Sequence, residues 1–146
     1  IYGRYVGGDL TSAKYIYFQD DDVIFREHER LLDAYNETPD RIVGVMDAAW
    51  VAKGKYEDLC LVGAGSIVPN GLWKPAFADY LDHFPFDDLF LLECDFISGT
   101  ICPHRRVDLP YEIRDVAKRP DRLCKQPWQE EWKLTARERA RSILNA

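Results

Sequence analysis

Tyr15-Ile-Tyr-Phe-Gln-Asp-Asp-Asp-Val-Ile-Phe25 is the stretch whose reading decides the fold. Residues 15–18 are aromatic or β-branched throughout, the pattern of a strand buried on both faces. Three carboxylates, Asp20, Asp21 and Asp22, follow at once, and Val23-Ile24-Phe25 closes the segment with a second apolar burst. Three adjacent like charges repel one another, and apolar neighbours aggravate the repulsion. A cation relieves it. Asp20 and Asp22 are two apart, so on an extended backbone they leave the same face and can share one ion. Hard carboxylate oxygens select Mg²⁺ or Mn²⁺ and leave coordination positions open for phosphate oxygens. A solvated acidic turn is the plainer alternative, because Asp suits turns and helix N-caps.

The 146 residues make one domain at most, and at 47% apolar and 13% aromatic they can bury a real core. A net charge of −6 argues against a general nucleic-acid-binding surface, which needs a basic patch. No apolar run approaches a membrane span, and no leader pattern opens the chain. Cys60, Cys94, Cys102 and Cys124 lack C-x-x-C spacing. They read as reduced, buried thiols of a cytoplasmic protein, an even count leaving disulfides open. The first residues look like mid-domain sequence, so the chain is expected to be a piece of something longer.

Taken in order, residues 2–14 carry Gly3, Arg4, Gly7, Gly8 and Lys14 and predict a loop or short helix leading into the strand. Glu27–Asn36 has Leu31, Leu32 and Tyr35 at helical spacing. Strands are expected over Arg41–Met46 and Leu59–Val62, with a polar turn at Lys53–Asp58 between them. Gly63-Ala-Gly-Ser66 opens the most glycine-dense passage, which lets a backbone approach a ligand closely or simply turn from strand to helix. It lacks the spacing of a Walker loop or a dinucleotide fingerprint. Leu72–Phe84 predicts a helix ended by Pro85. Glu93 and Asp95 directly follow the apolar run Leu89-Phe-Leu-Leu92, and a short buried helix is expected over Phe96–Cys102, for which Asp95 could simply be the N-cap. His104, Arg105 and Arg106 come next, then strands at Val107–Tyr111 and around Tyr111–Val116. Trp128, Trp132, Ala136, Ala140 and Ile143 form one stripe of a terminal helix.

The order Asp20-Asp-Asp22, Gly63-Ala-Gly-Ser66, Glu93-Cys-Asp95 and His104 resembles the glycosyltransferases of the GT-A fold, across roughly residues 13–105. Those enzymes carry an Asp-x-Asp after a buried strand, a glycine-rich loop, an acidic segment opening a helix, and a late histidine. The resemblance implies an α/β fold in which residues 1–127 are a partial GT-A-like catalytic domain, its N-terminal nucleotide-binding half absent. Residues 128–146 would be an amphipathic helix packing on that domain or on a partner. It implies Mn²⁺ or Mg²⁺ on Asp20, Asp22 and His104. A nucleotide-sugar donor would lie near Arg4, Asp21, Gly63, Gly65, Ser66 and Arg105. Asp95 or Glu93 would act as the carboxylate on the acceptor side. Here Cys94 separates Glu93 from Asp95, where the family usually runs Glu-Asp, so the sequence leaves open which of the two acts. It also leaves open inversion or retention, the donor and the acceptor. The rival expectations are a sugar-1-phosphate nucleotidylyltransferase and a non-catalytic binding module of the same fold.

Overall fold

The apolar run Ile42–Val45 becomes one of the two inner strands of a mixed sheet in the computed structural model, which describes residues 1–46, 58–114 and 126–146. Among these residues the chain runs α1 (Gly3–Asp9), β1 (Tyr15–Phe18), β2 (Val23–Phe25), α2 (His28–Glu37) and β3 (Ile42–Val45). A 3-10 turn (Val62–Ala64), β4 (Ser66–Pro69), α3 (Trp73–His83), α4 (Asp88–Ile101), β5 (His104–Val107), β6 (Tyr111–Ile113) and α5 (Gln129–Leu144) complete it. The sheet order is β1-β4-β3-β5. β4 runs antiparallel to both β1 and β3, and β5 runs parallel to β3. β1, β3 and β5 therefore point the same way. β2 and β6 form a separate antiparallel pair.

Alternation along the strands divides the core in two. Ile42, Val68 and Phe18 face a cluster built with Trp73, Phe77, Phe90 and Ile97, on the side of α1, α3, α4 and α5. Val43, Val45 and Ile67 face the other side, where Leu31, Ala34 and Tyr35 of α2 cover them. The period of two that sends neighbouring residues to opposite faces thus makes a sheet with helices on both sides.

Several expectations need correction. β1 is not buried on both faces: Tyr15 and Tyr17 are 43% and 37% exposed, because β1 is an edge strand and these rings stand beside α2. No strand forms at 59–62. Cys60 N–H instead donates to the Gly99 carbonyl of α4 at 3.0 Å, and the 3-10 turn follows. The strand expected at Val107–Tyr111 begins earlier, at His104, and stops before Pro110, which has no N–H for a ladder. The turn at Lys53 and Cys124 lie outside the described residues. Cys60, Cys94 and Cys102 are buried free thiols.

α5 lies on α4, with Ala136 and Ala140 fully buried between them. Arg137 and Arg141 converge on Asp58, Arg137 Nη2 at 2.5 Å, and Arg139 donates to the Tyr80 hydroxyl at 3.2 Å. Two arginines on one carboxylate fix the helix in rotation as well as in height. The terminal helix is thus held to the domain by both its small apolar stripe and its charged edge.

Gly99 is where α4 comes closest to the chain at Cys60. A Cβ there would run into the Cys60 carbonyl oxygen, whereas one at Gly7 in α1 would meet nothing within 4 Å. Gly99→Ala is expected to destabilise the fold by about 1–3 kcal/mol through overpacking. Gly7→Ala should leave stability unchanged or raise it by up to about 1 kcal/mol through helix propensity. Urea denaturation of both variants beside the parent chain checks the contrast.

Candidate functional site

α1 presents Arg4 and Tyr5 side by side, and Tyr5 fixes where the helix sits. Its ring is 2% exposed and lies 5.4 Å from Phe18, 5.4 Å from Trp73 and 4.9 Å from Phe77, all edge-on. Such edge-to-face contacts favour one orientation over a loose pile. With Tyr5 held, Arg4 reaches the end of β1, its guanidinium carbon 5.8 Å from the centre of the Phe18 ring.

Asp20 follows that strand end. Its N–H donates to the Gly63 carbonyl at 2.8 Å, and a Cβ on Gly63 would overlap the Asp20 carboxylate. Gly63 is therefore a seat for Asp20, which needs a residue without a side chain. Arg4 Nη2 lies 2.5 Å from Asp20 Oδ1, and Arg4 Nη1 lies 3.1 Å from Asp95 Oδ2. One guanidinium thus joins a carboxylate from the end of β1 to one from the middle of α4. The Tyr5 hydroxyl donates to Asp95 Oδ1 at 2.7 Å. Its only hydrogen is then used, so the Ser98 hydroxyl, 2.7 Å away, donates to the Tyr5 oxygen. Exposure rises along the chain of contacts, from 12% for the Asp95 side chain to 20% for Arg4 and 43% for Asp20. The Asp20 end faces solvent and the Asp95 end does not.

Burial sets the protonation of this group. Asp95 is pushed up to about 6 by burial, against the pull of Arg4 and the Tyr5 hydrogen bond. Burial also pushes the Tyr5 hydroxyl well above the ordinary phenol range, with the facing Asp95 carboxylate adding to it. Arg4 loses from burial but gains more from Asp95 and Asp20, so it is held firmly charged.

Asp95 is not the N-cap expected for it. The short helix expected over Phe96–Cys102 is present as the segment of α4 that follows a kink at Glu93 and ends at Ile101, so Asp95 lies inside it. α4 itself begins at Asp88, and its N-cap is Asp87, whose carboxylate accepts from Phe90 N–H at 2.9 Å. α4 is broken at Glu93 (φ −116°, ψ 16°), and the turn after the break carries Asp95 towards α1. Glu93 points elsewhere, between α4 and α5, 1% exposed beside Gln129 and Lys133. Among the described residues its Oε1 has no hydrogen-bond partner. Burial pushes Glu93 up to about 7, against the pull of Lys133.

The other expected site residues are scattered. Asp21 is exposed on the turn, and Asp22 is half-buried, its carbonyl accepting from Arg114 N–H at 2.6 Å. Gly65 turns the chain into β4 with φ 118°, and the buried Ser66 hydroxyl donates to the Val62 carbonyl at 2.9 Å. These two shape the loop under Asp20, and the Ser66 hydroxyl is spent on the backbone. Arg105 reaches the end of α2, donating to Glu37 at 2.7 Å and to the Ala34 carbonyl at 3.2 Å. His104 opens β5, at the far edge of the sheet from β1, and its Nδ1–H donates to the Cys102 carbonyl at 3.0 Å. Its row in the sheet is that of Ile42 and Ile16, so it lies roughly 15–20 Å from Asp20 by strand rise and spacing. The fold does not bring His104 to the acids. Among the described residues no three His, Cys, Asp or Glu side chains gather as a ligand set.

Tyr5 and Ser98 have no signal in the sequence. An aromatic among glycines and a serine in an apolar helix both suggest ordinary packing, and only the approach of α1 to α4 makes them partners of Asp95.

A raised Glu93 has a consequence for stability. The folded state holds a proton on it at pH values where the unfolded chain has lost one, so the native state binds more protons. The stabilisation is then complete below the ordinary glutamate value and is lost as pH rises through about 7. Chemical denaturation at pH 5 and pH 8 should show the parent chain less stable at pH 8, by up to about 3 kcal/mol from this group. Glu93→Gln should remove most of that difference; an unchanged slope would place the titration elsewhere.

Among the described residues no helix is long and apolar enough to cross a membrane. No family model, curated protein or solved structure matches the chain.

Proposed function

We propose that this chain is part of the catalytic domain of a metal-dependent glycosyltransferase of the GT-A type, moving a sugar from a nucleotide-diphosphate sugar to an acceptor hydroxyl. The observation that carries the reading is the meeting of Asp20 and Asp95 on the Arg4 guanidinium. A donor diphosphate and an acceptor hydroxyl react only when held against each other, so the carboxylates that serve them must be neighbours. A mixed α/β sheet with the Asp20–Asp22 turn beyond the carboxyl end of β1 is compatible with that family's architecture.

A divalent cation fits the turn by its donor chemistry: Asp20 is open to solvent, Asp22 shares its turn, and both supply hard oxygens. Bound there, Mn²⁺ or Mg²⁺ would supply charge to offset that developing on the departing diphosphate. His104 is not among the ligands in this reading. Asp95, near 6, is mostly ionised at neutral pH yet basic enough to take a proton from a hydroxyl. Tyr5 and Arg4 hold both its oxygens, which fixes the direction from which a hydroxyl can approach. In an inverting reaction Asp95 accepts the acceptor's proton; in a retaining one it positions the acceptor. Glu93, turned into the α4–α5 interface, serves the fold instead.

Two substitutions separate the roles. Asp22→Asn should weaken Mn²⁺-dependent binding of uridine or guanosine diphosphate, measured by calorimetry, because it removes a charge beside the ion. Asp95→Asn should affect that binding less, and should slow nucleoside diphosphate release from a panel of nucleotide sugars by about 10²–10⁴-fold. Near-normal turnover by Asp95→Asn, or unaltered binding by Asp22→Asn, would remove the corresponding assignment.

A further inference from the structure

The two arms of Arg4 are not equally bound. Nη2 makes a close charge-assisted bond to Asp20 at 2.5 Å. Nη1 lies 3.1 Å from Asp95 Oδ2 but is not aligned with it, and among the described residues this buried nitrogen makes no hydrogen bond. A guanidinium gains most from a carboxylate when two parallel N–H groups meet both oxygens, and the bridging position forgoes that on each side. Asp20 is seated on its inner side, its N–H donating to the Gly63 carbonyl and its carboxylate occupying the space a Gly63 Cβ would fill. A divalent cation reaching the Asp20 carboxylate therefore comes within a few ångströms of Arg4, and two cations that close repel strongly in a partly buried site.

We infer that Arg4 is a positioning residue with two stations: it bridges Asp20 and Asp95 when no cation is present, and a cation at Asp20 displaces it onto Asp95 alone. The inference rests on the metal-binding reading of the Asp20–Asp22 turn. The Phe18 ring beneath the guanidinium offers a flat surface across which it can pass, keeping its cation–π contact. In the second station Nη1 gains the alignment it lacks. Loading of the donor side is then felt at Asp95, whose carboxylate becomes better paired and better oriented before an acceptor arrives.

The test uses metal alone on the full chain. Mn²⁺ binding followed by electron paramagnetic resonance should be about ten-fold tighter in Arg4→Gln than in the parent, the equivalent of one charge-assisted hydrogen bond no longer competing. Nuclear magnetic resonance of the unsubstituted protein avoids any folding defect of the variant. Added Mg²⁺ should move the backbone amides of residues 20–23 and the Arg4 Nε–H together. If the amides move and the Arg4 resonance does not, or if Arg4→Gln binds Mn²⁺ no more tightly, the two-station inference is overturned while the metal site stands. If neither ion binds either protein, the metal reading itself fails.

Discussion

The Arg4 guanidinium is the interaction on which the arrangement of this molecule's acids depends. Asp95 is buried and Asp20 sits at the end of a strand; without a cation between them both would face uncompensated charge in a partly dry setting. Such a cation could be solvent-borne, but here it belongs to the chain, and it arrives on a helix whose position is set by the Tyr5 ring. The contacts of Tyr5 with Phe18, Trp73 and Phe77 are thus as much a part of the site as the charges are. Loss of that aromatic packing would move Arg4, and loss of Arg4 would leave Asp95 favouring its neutral form.

The two acidic residues of the Glu93-Cys94-Asp95 segment show how one helix break can divide labour. Non-helical geometry at Glu93 sends that side chain into the α4–α5 interface and Asp95 towards α1. Burial raises both, yet only Asp95 has a guanidinium and a hydroxyl to orient it. A carboxyl with an orphaned oxygen in a helix interface is a source of pH-dependent stability, whereas the Asp95 carboxylate is oriented by a guanidinium and a hydroxyl, as the proposed acceptor-side role requires.

Much of this is legible in the sequence, and the exceptions have physical causes. Apolar runs identify β3 and the core face of α2, because a central strand and an amphipathic helix are set by local pattern. The acidic turn and Asp95 stand out by chemistry and order. β1 deceives, because Tyr15 and Tyr17 look like core residues but stand on an edge strand, with hydroxyls that tolerate water. Leu59–Val62 reads as a strand by composition, yet its backbone partner is a helix carbonyl. His104 is misplaced by motif order, since order says nothing of which end of β5 a residue occupies. Tyr5 and Ser98 are silent because their role comes from contacts between α1 and α4, far apart in the chain.

The most direct test of the central claim, that the Asp20–Asp22 turn and Asp95 make one site about Arg4, is the location of a bound cation. Crystals grown with MnCl₂ and a nucleoside diphosphate, with diffraction collected at the manganese edge, would give that location by anomalous scattering. A peak at the Asp20–Asp22 turn is expected, with Arg4 withdrawn to Asp95 and His104 far from the ion. A peak at His104, or ordered diphosphate bound away from the turn, would contradict the claim.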